Sequence, residues 1–93
     1  MEGLTLPVTI DDLATTMAEV AGEPLPTGDV LDTTFVDLGY DSVVMMEVIA
    51  QLERANDVRL GDDAVREATT PRALLTLIND AKAGTAASGR SAL

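Results

Sequence analysis

The chain has 93 residues, enough for one modest hydrophobic core. It contains no cysteine and no histidine, which excludes a disulfide framework, a thiolate metal site, a cysteine nucleophile and the commonest general base at neutral pH. The formal charge of −10 is unevenly placed: residues 1–53 hold eleven carboxylates and no lysine or arginine, whereas residues 54–93 hold five acids and six bases. Such a surface repels nucleic acid and anionic membranes and attracts basic protein surfaces. No stretch approaches the ~20 apolar residues that span a bilayer, and the opening MEGLTLPVTIDD has neither the basic region nor the apolar run of a signal peptide. A cytoplasmic monomer is expected, with neither nucleic acid nor membrane as partner.

A first helix is read from Ile10 to Ala21. Thr9 is the N-cap, Asp11 and Asp12 suit the positive end of the helix, and Val8 is placed to staple onto Leu13. Ile10, Leu13, Met17 and Val20 share one side of a 3.6-residue wheel, with Asp12, Thr16 and Glu19 opposite. Residues 22–41 then form a long connection, because Gly22, Pro24, Pro26 and Gly28 argue against a continuous helix. Leu25, Val30, Leu31, Phe35 and Leu38 are expected to pin it to the core, with a short helical turn near Asp32–Val36.

The second helix starts at Ser42, behind Asp41 as N-cap, and ends at Ala55–Asn56. Eight of the ten residues from Val43 to Leu52 are apolar, more than one buried face requires. Met45, Val48, Ile49 and Leu52 take the core stripe. Val43, Met46 and Ala50 fall on the other side among Glu47, Glu53 and Arg54, which marks that side as a candidate docking face; a loop covering those residues within the monomer is the alternative. Val58 and Leu60 follow as small anchors, then a helical turn around Asp62–Arg66. In the last helix Thr70 caps, Pro71 takes the first position, Leu74, Leu77, Ile78 and Ala81 form the buried stripe, and Gly84 stops the helix after Ala83. The pattern defines an all-α fold: a small right-turning up-down bundle of three main helices plus one short helix. Residues 1–8 read as an N-terminal extension, 9–83 as the bundle and 84–93 as a disordered tail.

Function turns on Leu38-Gly39-Tyr40-Asp41-Ser42-Val43. Ser42 is the first residue of a helix already capped by Asp41, so its hydroxyl can point outwards. Helix N-termini favour an anion such as a phosphodiester, and Gly39 permits a close turn before the helix. Asp-Ser before an apolar helix is on its own most often plain capping. A calcium loop beginning at Asp29 fails on spacing, with Leu31, Thr33, Thr34 and Tyr40 at its third, fifth, sixth and twelfth positions; no metal site is expected. An acidic helical adaptor without a prosthetic group is the rival from another class.

Here the chain resembles the acyl carrier proteins of fatty acid and polyketide synthesis, in which an Asp-Ser-Leu signature opens the second helix. Gly39-Tyr40-Asp41-Ser42-Val43 is similar to the dissociated (type II) carriers of aromatic polyketide pathways. Phe35, Leu38, Glu47, Leu52, Glu53 and Thr70-Pro71-Arg72 fit as well. Val43 in place of leucine, Val44 in place of aspartate, Asn56 where an aromatic residue is common and Gly61 where proline is common depart from it. The resemblance implies 4′-phosphopantetheine, transferred from coenzyme A, on Ser42, with Asp41 and Gly39 shaping the attachment site. It implies no catalysis by the chain itself. Malonyl and growing chains would be held as thioesters and passed among partner enzymes: phosphopantetheinyl transferase, malonyl transferase, ketosynthase/chain-length factor, ketoreductase and cyclases. A fatty-acyl or peptidyl carrier is the alternative within the family. Asp37, Val43, Met46, Glu47, Ala50 and Glu53 would form the docking face, and Arg72 and Asn79 are candidates for contacting the carried chain.

Overall fold

The computed structural model of the protein describes residues 6–26 and 28–91, the last seven by their backbone alone. Helix α1 (Ile10–Ala21) opens on a reciprocal capping box: Asp12 N–H donates to Thr9 Oγ1 (3.1 Å) and Thr9 N–H donates to Asp12 Oδ2 (3.0 Å). It closes on Gly22, whose φ of 86° lies in the left-handed region a Cβ disfavours. Helix α2 (Ser42–Asn56) follows the long connection, α3 (Asp62–Glu67) is a short piece, and α4 (Pro71–Ser91) completes the bundle. α1 packs against α2 and α4, and α3 packs against α4.

The helical stripes meet in one core. Leu13 and Met17 of α1, Val48 of α2, and Leu74 and Ile78 of α4 are fully buried, each worth about 1.5–3 kcal/mol relative to exposure. Val8 and Leu13 share this core, as the staple requires. Phe35 is the one aromatic residue among the buried side chains, and it comes from the connection. Val58 and Leu60 are buried, and the polar residue at Asn56 is satisfied: its Nδ2 donates to Leu52 O (2.8 Å) and its Oδ1 accepts from Lys82 Nζ (3.0 Å).

The connection is held to the core and to the start of α4. Leu25 and Phe35 are buried, Leu38 packs against the core, and Val30 and Leu31 are half-buried. Arg72 N–H donates to Leu31 O and Phe35 N–H donates to Thr69 O, both at 2.9 Å, which lashes the loop to the start of α4. The helical turn in this loop runs over residues 34–39, two to three residues later than the sequence suggests. Thr34 caps it by accepting from Asp37 N–H (3.1 Å), and Asp32 is drawn aside by Arg72.

Two expected boundaries change. Val8 is part of the core and its backbone is clasped by Asn79, so the bundle begins before residue 9; residues 1–5 lie outside the described residues. The last helix does not stop at Gly84 but runs to Ser91. One glycine costs a helix interior only about 1 kcal/mol relative to alanine, no proline follows, and alanines stand nearby at 81, 83, 86 and 87. Of the expected tail, 92–93 lie outside the described residues. No helix among the described residues is long and apolar enough to cross a membrane.

Candidate functional site at the start of the second helix

The turn before α2 is built by local bonds. Leu38 N–H donates to Thr34 O (3.0 Å) and Gly39 N–H to Val36 O (3.0 Å). Gly39 then takes φ 96°, a conformation that reverses the chain with little cost only without a side chain. This reversal lets Tyr40 N–H return to Phe35 O (2.9 Å). The Tyr40 phenol is half-buried and donates to Pro24 O (3.3 Å). Burial raises its pKa above the ordinary tyrosine value, and the Glu23 carboxylate adds to the rise.

Asp41 is extended, and its Oδ1 accepts from Val44 N–H (2.9 Å). The capping is therefore done by Asp41 and leaves Ser42 out of it. Ser42 is exposed, and its hydroxyl makes no hydrogen bond to another described residue. Of the first-turn amides, Val44 is taken by Asp41; those of Ser42 and Val43 find no partner among the described residues. An outward hydroxyl thus stands beside unsatisfied N–H groups at the positive end of a 15-residue helix. These residues fit a phosphodiester-linked group on Ser42.

Around it the structure sorts the expected docking residues. Val43 is 74% exposed and Met46 69% exposed. Asp37 and Glu47 are exposed and Ala50 is half-buried; Glu47 stands 3.8 Å from Arg54, a surface pair. Glu53 departs from expectation: its Oε2 accepts from Leu60 N–H (2.8 Å), so this carboxylate ties down the connection after α2. Sequence reasoning missed Val36, which is 77% exposed beside this face. Phe35-Val36 is an apolar pair in a tight turn, where only one member can enter the core; the larger ring does, and nothing local announces it.

A cleft of about 560 Å³ opens between α2, α3 and the 34–40 turn, and both Asp41 and Ser42 line it. Phe35, Met45, Ile49, Val65 and Ala68 supply its apolar lining; Asp62, Arg66 and Thr69 supply polar groups from the α3 side. Its volume is that of a small-molecule site. Arg72 and Asn79 are not brought to it. The Arg72 guanidinium grips Asp32 with Nε–Oδ1 at 2.8 Å and Nη2–Oδ2 at 3.2 Å, and the hydrogen bond holds the Asp32 carboxyl below its ordinary range. Asn79 accepts from Val8 N–H (2.7 Å) and donates to Val8 O (3.0 Å). Both side chains are spent on partners remote in sequence.

Residues 11–78 match the family of the phosphopantetheine attachment site, and the chain belongs to that family. Its members are carriers with a covalently attached 4′-phosphopantetheine and no catalysis of their own. The chain is similar to the oxytetracycline polyketide synthase acyl carrier protein of Streptomyces rimosus, 43% identical over 88 residues that cover 91% of this chain and 93% of that one. It is 47% identical to the actinorhodin polyketide synthase acyl carrier protein of Streptomyces coelicolor over 79 residues, covering 82% and 92%. Among solved structures, the oxytetracycline acyl carrier protein superposes with a TM-score of 0.77 at 44% identity, over 86% of this chain and 87% of that one. The 5-phenyl-3-oxo-pentyl form of the actinorhodin carrier gives 0.78 at 42% identity, covering 88% and 99%.

Proposed function

We propose that this chain is the acyl carrier of a type II polyketide synthase, with Ser42 as the attachment point of the arm. The observation that carries the reading is the outward Ser42 hydroxyl, relieved of capping by Asp41 and bordered by the cleft. When bound, the phosphopantetheine supplies the terminal thiol on which malonyl and growing chains are held as thioesters, a chemistry this cysteine-free chain lacks. The chain's own part is positional. Asp41 and Gly39 hold Ser42 at the helix tip, the amides of Ser42 and Val43 favour a phosphate there, and the tether raises the effective concentration of cargo at each partner.

Docking is read on Val36, Val43, Met46 and Ala50, ringed by Asp37, Asp41 and Glu47; Glu53 is set aside. Exposed apolar side chains among carboxylates suit a partner with a shallow apolar patch and a basic rim. Such contacts form fast and weaken with salt. Partners in this reading are a phosphopantetheinyl transferase, a malonyl transferase, the ketosynthase/chain-length factor, and the ketoreductase and cyclases that follow.

The test is intact mass spectrometry after incubation with coenzyme A and a broad-specificity phosphopantetheinyl transferase. One phosphopantetheine addition is expected, mapping to Ser42 and absent from Ser42→Ala, which should fold normally. A folded wild-type protein that takes up no mass refutes the reading and leaves the adaptor.

A further inference from the structure

The docking face carries a group whose chemistry the function above leaves unused, the thioether of Met46. Three methionines lie among the described residues, and the fold treats each differently. Met17 is fully buried in α1, and Met45 is half-buried and packed against the core. Met46 is 69% exposed and takes no part in the core. The adjacent pair diverges because an α-helix turns by about 100° per residue, which sends neighbours in sequence to different sides.

With no cysteine in the chain, these thioethers are its only sulfur nucleophiles. A hydroperoxide oxidises a thioether that it can reach. The sulfur gives an electron pair to the peroxide's terminal oxygen, the O–O bond breaks, and the hydroxyl proton passes to the departing alkoxide or hydroxide. The sulfur ends as a sulfoxide, oxidised by two electrons, and the peroxide ends as alcohol or water, reduced by two. Close packing denies the oxidant this approach at Met17 and restricts it at Met45.

The position of Met46 decides what the added oxygen does. It stands one turn from Ser42, and Val36, Val43 and Ala50 share its face. A sulfoxide puts a strong acceptor among side chains none of which can donate to it. In solution water satisfies that oxygen. Against the apolar patch of a partner it loses its water, at a cost in free energy. No core contact depends on Met46, so the bundle itself is spared.

We propose that peroxide oxidation of Met46 is a reversible switch on docking: the sulfoxide weakens partner binding at this face while the fold and the Ser42 hydroxyl stay intact. The inference rests on the reading of Ser42 as the attachment point and of this face as the docking surface.

The experiment treats the folded apo protein with graded hydrogen peroxide, locates each added oxygen by tandem mass spectrometry, and then measures loading by a phosphopantetheinyl transferase and coenzyme A. Oxidation is expected at Met46 before Met45, with Met17 untouched. The Met46 sulfoxide should raise KM for the carrier on the order of three- to tenfold, the scale set by an unpaired buried polar group, with kcat and Tm unchanged. Treatment with both methionine sulfoxide reductases, one for each epimer, should restore KM. Met46→Leu is compared only with itself before and after peroxide, and its KM should not respond. Met45 reacting first, a Met46 sulfoxide that leaves KM unchanged, or an equal peroxide response in Met46→Leu overturns the proposal while leaving Ser42 as the attachment point. An untreated folded sample that gains no arm overturns the reading of Ser42 and this inference with it.

Discussion

The division of labour between Asp41 and Ser42 can be tested by removing the cap while keeping the hydroxyl. Asp41→Ala deletes the acceptor 2.9 Å from Val44 N–H and leaves one more first-turn amide of α2 without a protein partner. Losing such a cap costs about 1 kcal/mol, within a range of roughly 0.5–2. For a domain of this length, that lowers Tm by about 4–8 °C per kcal/mol. Asp41→Asn keeps a carbonyl acceptor of equal capping rank but removes the charge. It should melt within a degree or two of the wild type, yet be loaded more slowly by a transferase with a basic surface. Thermal unfolding followed by circular dichroism, paired with the loading rate from intact mass, separates the two effects. If Asn melts as low as Ala, the carboxylate acts through charge and not through the hydrogen bond. If Ala leaves Tm unchanged, Asp41 is no cap and Ser42 has not been relieved of anything.

Three further outcomes follow from the structure. Asp32 is held below its ordinary 3.8 by the Arg72 hydrogen bond, so its contribution to stability is complete above that ordinary value and lost as pH falls through the depressed folded one. Arg72→Met should return the Asp32 carboxyl titration, read by NMR, to the ordinary range; no change in its midpoint would refute the pairing. Gly84 lies inside α4 with open space where a Cβ would go, so Gly84→Ala should stabilise by about 0.5–1 kcal/mol in denaturant titration; destabilisation would mean that the helix does not continue through it. Asn79→Ala strips both hydrogen bonds from the Val8 backbone and should cost about 1–3 kcal/mol, with faster amide exchange at Val8 as its local signature.

Much of this architecture was written in short-range code. Capping and periodicity involve residues within four positions of one another, so Thr9 and Asp12, Asp41 before Ser42, and Thr70 before Pro71 could be read from the chain alone. The limits of α1 and α2 follow from them. The same holds for the position of Ser42 at the tip of α2, and for the split between Val48, Ile49 and Leu52 inside and Val43 and Met46 outside. Gly84 does not end α4 because glycine weakens a helix without stopping it; a stop needs a left-handed turn or a proline, and α4 has neither there.

Amino-acid order by itself determined the helices, their buried stripes and the serine that opens α2, because each depends on neighbours one helical turn away. Tertiary structure alone decided which polar side chains were available. Arg72 meets Asp32 across 40 residues and Asn79 meets Val8 across 71, pairings no wheel can show. Glu53 is claimed by the Leu60 amide, and Phe35 enters the core so that Val36 must face out. Arg66 comes to line the cleft beside α2. A charged group's partner is set by proximity in space, and chain folding brings distant segments together in a way no local pattern records.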